Sequence, residues 1–189
     1  HLFLSPFGER QQASATASAS AFFSANVNLM RDNSYINLID NPFRHLWSLA
    51  VEEQFYLFFP VLAVLCMLYS RRSHRSFIAL SVSALSVLAV CSFMLAMYST
   101  RSAAGESWNQ FGFFGLPTRI WEFVIGILTM VFLGCWRIEA NPRIALAGGC
   151  GVIGIAWALI CLKESNEFPQ ITALIPVVST ALLLVCSVQ

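Results

Sequence analysis

Five apolar runs, residues 46–69, 77–98, 118–136, 144–162 and 171–189, constrain this chain more than any other feature it has. Crossing the hydrocarbon core of a bilayer takes about 20 residues of helix, and each run reaches or approaches that length. In lipid every backbone N–H and C=O must find its partner inside the element, which a helix achieves alone. The pattern therefore predicts an all-α fold, a polytopic transmembrane helical bundle with five spans here. Composition agrees, because only 11% of residues are charged, against roughly 25% in a soluble domain. A net charge of +1 without a long Lys/Arg run argues against a nucleic-acid partner, since nothing would neutralise a phosphate backbone.

Residues 1–45 read as an outer-face segment with one short interfacial helix in the Ala/Ser-rich stretch from Ala13 to Ala25. Residues 46–189 read as the membrane helices. The densest basic cluster, Arg71-Arg72-Ser73-His74-Arg75, belongs on the cytoplasmic side, which puts 99–117 and 163–170 outside. Pro60 and Pro176 are expected to kink their helices. Gly148, Gly149, Gly151 and Gly154 are expected to let a neighbouring helix approach closely. The six cysteines form no CxxC pair; they read as small buried hydrophobes, and no metal site is expected.

Chemistry concentrates at the start of the first span. His45, Ser48, Glu52 and Tyr56 recur at nearly whole helical turns and share one face, with Glu52 about 10 Å deeper than His45. Glu53 is rotated about 100° from Glu52. A charged group inside a span costs a few kcal/mol, so this pair needs a reason. It can hold a histidine or move a proton, or it can pair with arginines and lock the bundle. Arg119 and Glu122 open the third span at i,i+3 spacing and can pair with each other. Arg119 can equally bind Glu52, Glu53 or an anionic substrate group. Trp47, Trp108 and Trp121 fall near the expected outer boundary, where indoles gather without chemistry. Asn26, Asn28, Asn33, Asn37 and Asn41 crowd the outer segment, where amides form turns and also suit sugar hydroxyls.

The run from His45 to Leu57, His-Leu-Trp-Ser-Leu-Ala-Val-Glu-Glu-Gln-Phe-Tyr-Leu, with Pro60 following, resembles the HxWSLxVEEQFYLxxP signature of the acyltransferase 3 family. Pro117-Thr118-Arg119-Ile120-Trp121-Glu122, continuing to Gly126, is similar to that family's PTRxWELxxG segment. Phe168-Pro169 and Ala173–Val178 resemble its later FPG…ALLPVLGT stretch, with Gln170 and Ser179 where glycines are common. The upstream Leu4–Phe7 and Phe23–Asn26 also fit in order, so the likeness covers nearly the whole chain.

The resemblance implies a bacterial, multi-pass inner-membrane O-acyltransferase of about ten spans. It would carry an acyl group, acetyl above all, from acyl-CoA to a cell-surface glycan or lipid-linked glycan, with no metal. It also implies that this chain supplies roughly spans four to eight, is inactive alone, and can be followed by an SGNH-type domain. On that reading His45, Glu52 and Glu53 are the catalytic candidates, and Ser48, Tyr56, Arg119 and Glu122 contact substrate. Two other classes stay open on the residues: a proton-coupled transporter or flippase of glycan precursors, and a bundle whose Glu pair only locks helices.

Overall fold

A computed structural model describes residues 9–31, 43, 45–70, 74–99, 106–135, 142–161 and 171–187. The described residues form eight α-helices: α1 Glu9–Ala21, α2 Ala25–Arg31, α3 Leu46–Tyr69, α4 His74–Ser99, α5 Glu106–Phe114, α6 Ile120–Cys135, α7 Pro142–Cys161 and α8 Leu174–Ser187. Short 3-10 turns, Leu116–Thr118 and Ile171–Ala173, lead into α6 and α8. No strand occurs among the described residues. The all-α membrane bundle expected from the sequence is the fold.

Leu46–Tyr69, Ser76–Ser99 and Ile144–Cys161 are long and apolar enough to cross a membrane. Ile120–Cys135 and Leu174–Ser187 are apolar but shorter, so that among the described residues the five runs are three long helices and two short ones. At 1.5 Å per residue the short pair reaches only about 24 and 21 Å. Each 3-10 turn adds about 6 Å in front. Of the basic cluster that fixes the expected orientation, residues 71–73 lie outside the described residues, as does the loop 162–170.

The core joins α3, α4 and α6 through Phe55, Leu85, Ile120 and Val124. Phe55 stacks on Phe123 with ring centroids 4.6 Å apart. Away from that core the helices present large apolar side chains outward: Leu57, Leu159 and Ile160 are 73%, 81% and 79% exposed. Water would not tolerate so continuous an apolar surface, whereas lipid or further helices would.

The most extensive pairing is α7 against α8, and its glycines explain it. A Cβ on Gly151 would lie 2.8 Å from the Ser179 carbonyl oxygen, one on Gly148 2.6 Å from Cys186 Sγ, and one on Gly154 would collide with the Ser179 hydroxyl. Three of the four glycines are therefore close-packing positions. Gly149 is not, because nothing lies within 4 Å of its Cβ position. Gly151→Leu is expected to lower stability by about 1–3 kcal/mol, since a backbone carbonyl cannot step aside. Gly149→Leu should stay within about 0.5 kcal/mol of the parent. Thermal unfolding of the full-length protein in detergent measures both.

Other expectations are revised. The stretch from Ala13 to Ala25 holds one helix, the end of α1, and a second, α2, starts at Ala25 after a break at Phe23, whose φ of 56° is left-handed. The second, α2, buries Ala25 and Leu29 and packs on α3 and α5. Pro176 lies in the first turn of α8, where a missing N–H leaves no gap in the ladder, so it opens the helix instead of kinking it. Pro60 lies within α3, which continues through it. Of the cysteines only Cys66 is buried; Cys91, Cys135, Cys150 and Cys161 are exposed, Cys186 is intermediate, and all six are free.

Candidate functional site

The site is assembled where the starts of α3 and α6 meet α5. The link from α5 to α6 is held by its own polar groups. Gly115 N–H donates to the Phe111 carbonyl at 2.8 Å, and a Cβ on Gly115 would sit 2.5 Å from that oxygen. Thr118 Oγ1, fully buried, lies 2.8 Å from the carbonyl oxygens of both Gly112 and Gly115, between which its single proton is shared. Ser92 on α4 clamps the same link: its hydroxyl donates to the Pro117 carbonyl at 2.7 Å and accepts from Trp121 N–H at 3.1 Å. These bonds satisfy backbone groups that a helix start leaves open and fix the position from which Arg119 projects.

Arg119 then makes several contacts at once. Nε donates to the Phe113 carbonyl at 2.9 Å, and Nη1 lies 3.6 Å from Glu122 Oε2. The guanidinium carbon sits 4.8 Å from the centroid of Trp47 and 5.4 Å from that of Phe113. A planar cation lying over two adjacent aromatic rings, whose own centroids are 4.9 Å apart, is a cation–π arrangement, and Arg fits it better than Lys because its charge is delocalised and weakly hydrated. The side chains of Arg119 and Glu122 are only 13% and 22% exposed, so this is a substantially buried pair.

Beside it, Asn26 and Gln54 form a reciprocal amide pair. Gln54 Nε2 donates to Asn26 Oδ1 at 3.0 Å and to the Phe23 carbonyl at 2.6 Å. Asn26 Nδ2 donates to Gln54 Oε1 at 3.4 Å and to the Phe114 carbonyl at 3.1 Å. An amide carries both donor and acceptor, so the two side chains lash α2, α3 and α5 together in an otherwise apolar setting.

Against this frame the expected site residues divide into two groups. Arg119 and Glu122 do pair. His45, Ser48, Glu52 and Tyr56 follow one another along α3 on the flank of its buried face, which is formed by Ala50, Val51 and Phe55. His45, Ser48 and Tyr56 are exposed, while Glu52 and Glu53 are half-buried. Ser48 Oγ donates to the His45 carbonyl at 3.2 Å. The described ion pair of Arg119 is with Glu122 and not with Glu52 or Glu53. Among the described residues Trp47, one residue before Ser48 and under the guanidinium, links the two groups. Trp121 is 2% exposed and packs edge-on against Phe93 at 5.2 Å. The side chain of Trp108 lies outside the described residues.

Sequence reasoning passed over Trp47, Gln54 and Asn26 as site members. Their signal was faint: Gln54 is a polar residue directly after two glutamates inside an apolar run, and Asn26 one amide among many. Among the described residues no group of three His, Cys, Asp or Glu side chains could hold a metal ion.

The fold and these polar positions define a helical membrane protein with ionisable groups set into its apolar helices, a placement that marks functional sites by default. Comparison with known proteins narrows the class. The chain is 32% identical over 151 residues to the O-acetyltransferase OatA of Staphylococcus aureus (strain NCTC 8325 / PS 47), covering 77% of this chain and 23% of that protein. It is 29% identical over 122 residues to a protein of Staphylococcus aureus (strain COL) provisionally named an O-acetyltransferase, covering 64% of this chain and 18% of that one. The chain thus spans about a fifth of the length of the curated relatives it matches. No family model and no solved structure matches it.

Proposed function

We propose that this chain is the part of a bacterial inner-membrane O-acetyltransferase that forms one wall of its transfer site. The likeness to the staphylococcal O-acetyltransferases supports the activity. The observation that carries the site assignment is the half-buried Glu52 and Glu53 within the apolar helix α3. Carboxylates held at such a cost in a span suit the handling of a proton, which acyl transfer to a hydroxyl requires.

The reaction moves an acetyl group from acetyl-CoA to a hydroxyl of a cell-surface glycan. The hydroxyl oxygen bonds to the thioester carbonyl carbon, the C–S bond breaks, the thiolate of CoA leaves, and the hydroxyl proton departs to a base. His45, Glu52 and Glu53 provide the proton path along α3. Ser48 and Tyr56, exposed on the same flank as Glu52, contact the acceptor. Arg119 and Glu122 hold the start of α6 beside them through Trp47.

The test is transfer of label from radioactive acetyl-CoA into cell-envelope carbohydrate, using membranes with and without the full-length gene. Gene-dependent label in the carbohydrate is the expected result. Membranes that move an unmodified glycan and leave acetyl-CoA untouched would replace this reading with the transporter.

A further inference from the structure

Apolar contacts hold helices together without choosing their rotation, because burial of apolar surface is non-directional. The buried face of α3 near its start, Ala50, Val51 and Phe55, is of that kind. At 100° per residue these three cover about 140° of the helix, and Gln54 falls inside that arc. Glu52 and Glu53 stand outside it, each about 60° beyond one edge. Gln54 meets Asn26, which is 3% exposed. Four hydrogen bonds tie the two amides to each other and to the carbonyls of Phe23 and Phe114. Hydrogen bonds weaken steeply away from their preferred angles, so this contact admits one rotation of α3 where its apolar neighbours admit several. Turning the helix by one residue would break the bonds from Gln54 and carry Glu53 about 100° round, to where Glu52 projected.

We infer that Asn26 and Gln54 are positioning residues for the transfer: their amide pair sets the rotation of α3, and with it which of two adjacent glutamates faces the reacting hydroxyl. The inference rests on the transferase reading and deepens it. Glu52 and Glu53 are neighbours in sequence and identical in chemistry, so only direction distinguishes them. A buried amide fixes register in the same way in coiled coils, where it lowers stability and excludes slipped pairings. The amides act through α3 and not on the substrate. Both N–H donors of each are already engaged within the protein.

The test is a double-mutant cycle in membranes carrying the full-length protein, with transfer from radiolabelled acetyl-CoA counted per folded molecule. Gln54→Met keeps the side-chain length and removes the amide. It should lower transfer at least about tenfold, as misplacing a reacting group does, and leave KM for acetyl-CoA unchanged. In the parent, Glu52→Gln is expected to cost at least about 100-fold. In the Gln54→Met background it should cost less than about tenfold, because the carboxylate it removes is already out of place. Gly151→Leu, which acts between α7 and α8, is the control: stability falls, but the full cost of Glu52→Gln remains. Exchanging the amides, Asn26→Gln with Gln54→Asn, should recover transfer over Gln54→Met, since donors and acceptors stay on both sides. Asn26→Leu with Gln54→Met strands neither amide and gives the same reading should Gln54→Met alone fail to fold. An undiminished cost of Glu52→Gln in the Gln54→Met background, or transfer that follows the folded fraction alone, overturns the inference and leaves the transferase reading in place. Absence of gene-dependent label from the parent, or no cost of Glu52→Gln in it, overturns that reading and the inference with it.

Discussion

Arg119→Ala is expected to cost about 3–5 kcal/mol of stability, the range for removing one partner of a buried pair. Three losses combine. Glu122, 22% exposed, is left without its cation. The Phe113 carbonyl loses the donor at 2.9 Å. Trp47 and Phe113 lose the cation lying over them. Because those contacts come from α3, α5 and α6, the damage falls on the junction that positions the α3 glutamates. Arg119→Lys should recover only part of the loss, as an ammonium cannot lie flat on an indole while donating sideways. Arg119→Met combined with Glu122→Gln should recover more than Arg119→Lys, since removing both charges removes the unpaired one. Thermal unfolding of the full-length protein in detergent ranks the three. An alanine variant as stable as the parent would show that the pair does not hold the junction.

The second large effect is on activity. Glu52→Gln and Glu53→Gln should each reduce acetyl transfer at least about 100-fold, the lower range for general acid–base participation, without loss of membrane insertion. The substitution keeps side-chain volume and removes only the titratable charge. If the glutamates merely lock the bundle, stability and transfer fall together; if they handle protons, transfer falls alone. Glu52 shares a flank of α3 with His45 and Tyr56, whereas Glu53 is turned about 100° away. Equal loss in both variants would therefore mean that the proton path involves two sides of the helix.

What was legible in the sequence follows from the range over which each interaction acts. The long span over 46–69 coincides with Leu46–Tyr69 because transfer of an apolar run into lipid is a property of the run itself. The Arg119–Glu122 pair was legible for a similar reason, its partners being three residues apart on one helix. Helix α5 was not. Nine residues are too few to be helical alone; Glu106–Phe114 is fixed by the Asn26 amide, which donates to the Phe114 carbonyl, and by the Thr118 hydroxyl, which donates to the Gly112 carbonyl. The same holds for the Asn26–Gln54 pair and for Trp47 beneath Arg119, whose partners are remote in sequence. The break between α1 and α2 falls at a phenylalanine with positive φ, a conformation that bulky residues rarely take and that no local pattern signals. The cysteines misled because apolar surroundings imply burial in a water-soluble core, whereas here an apolar helix face can point outward.

The central claim is that a transferase site lies on α3, and one measurement tests it most directly. Membranes carrying the full-length protein or its Glu52→Gln variant, at equal abundance, are supplied with radiolabelled acetyl-CoA, and label is followed into cell-envelope carbohydrate. Label is expected with the parent protein, and nearly all of it is expected to be lost with the variant. Undiminished labelling by the variant would contradict the site, and absence of gene-dependent label in both would contradict the acetyltransferase itself.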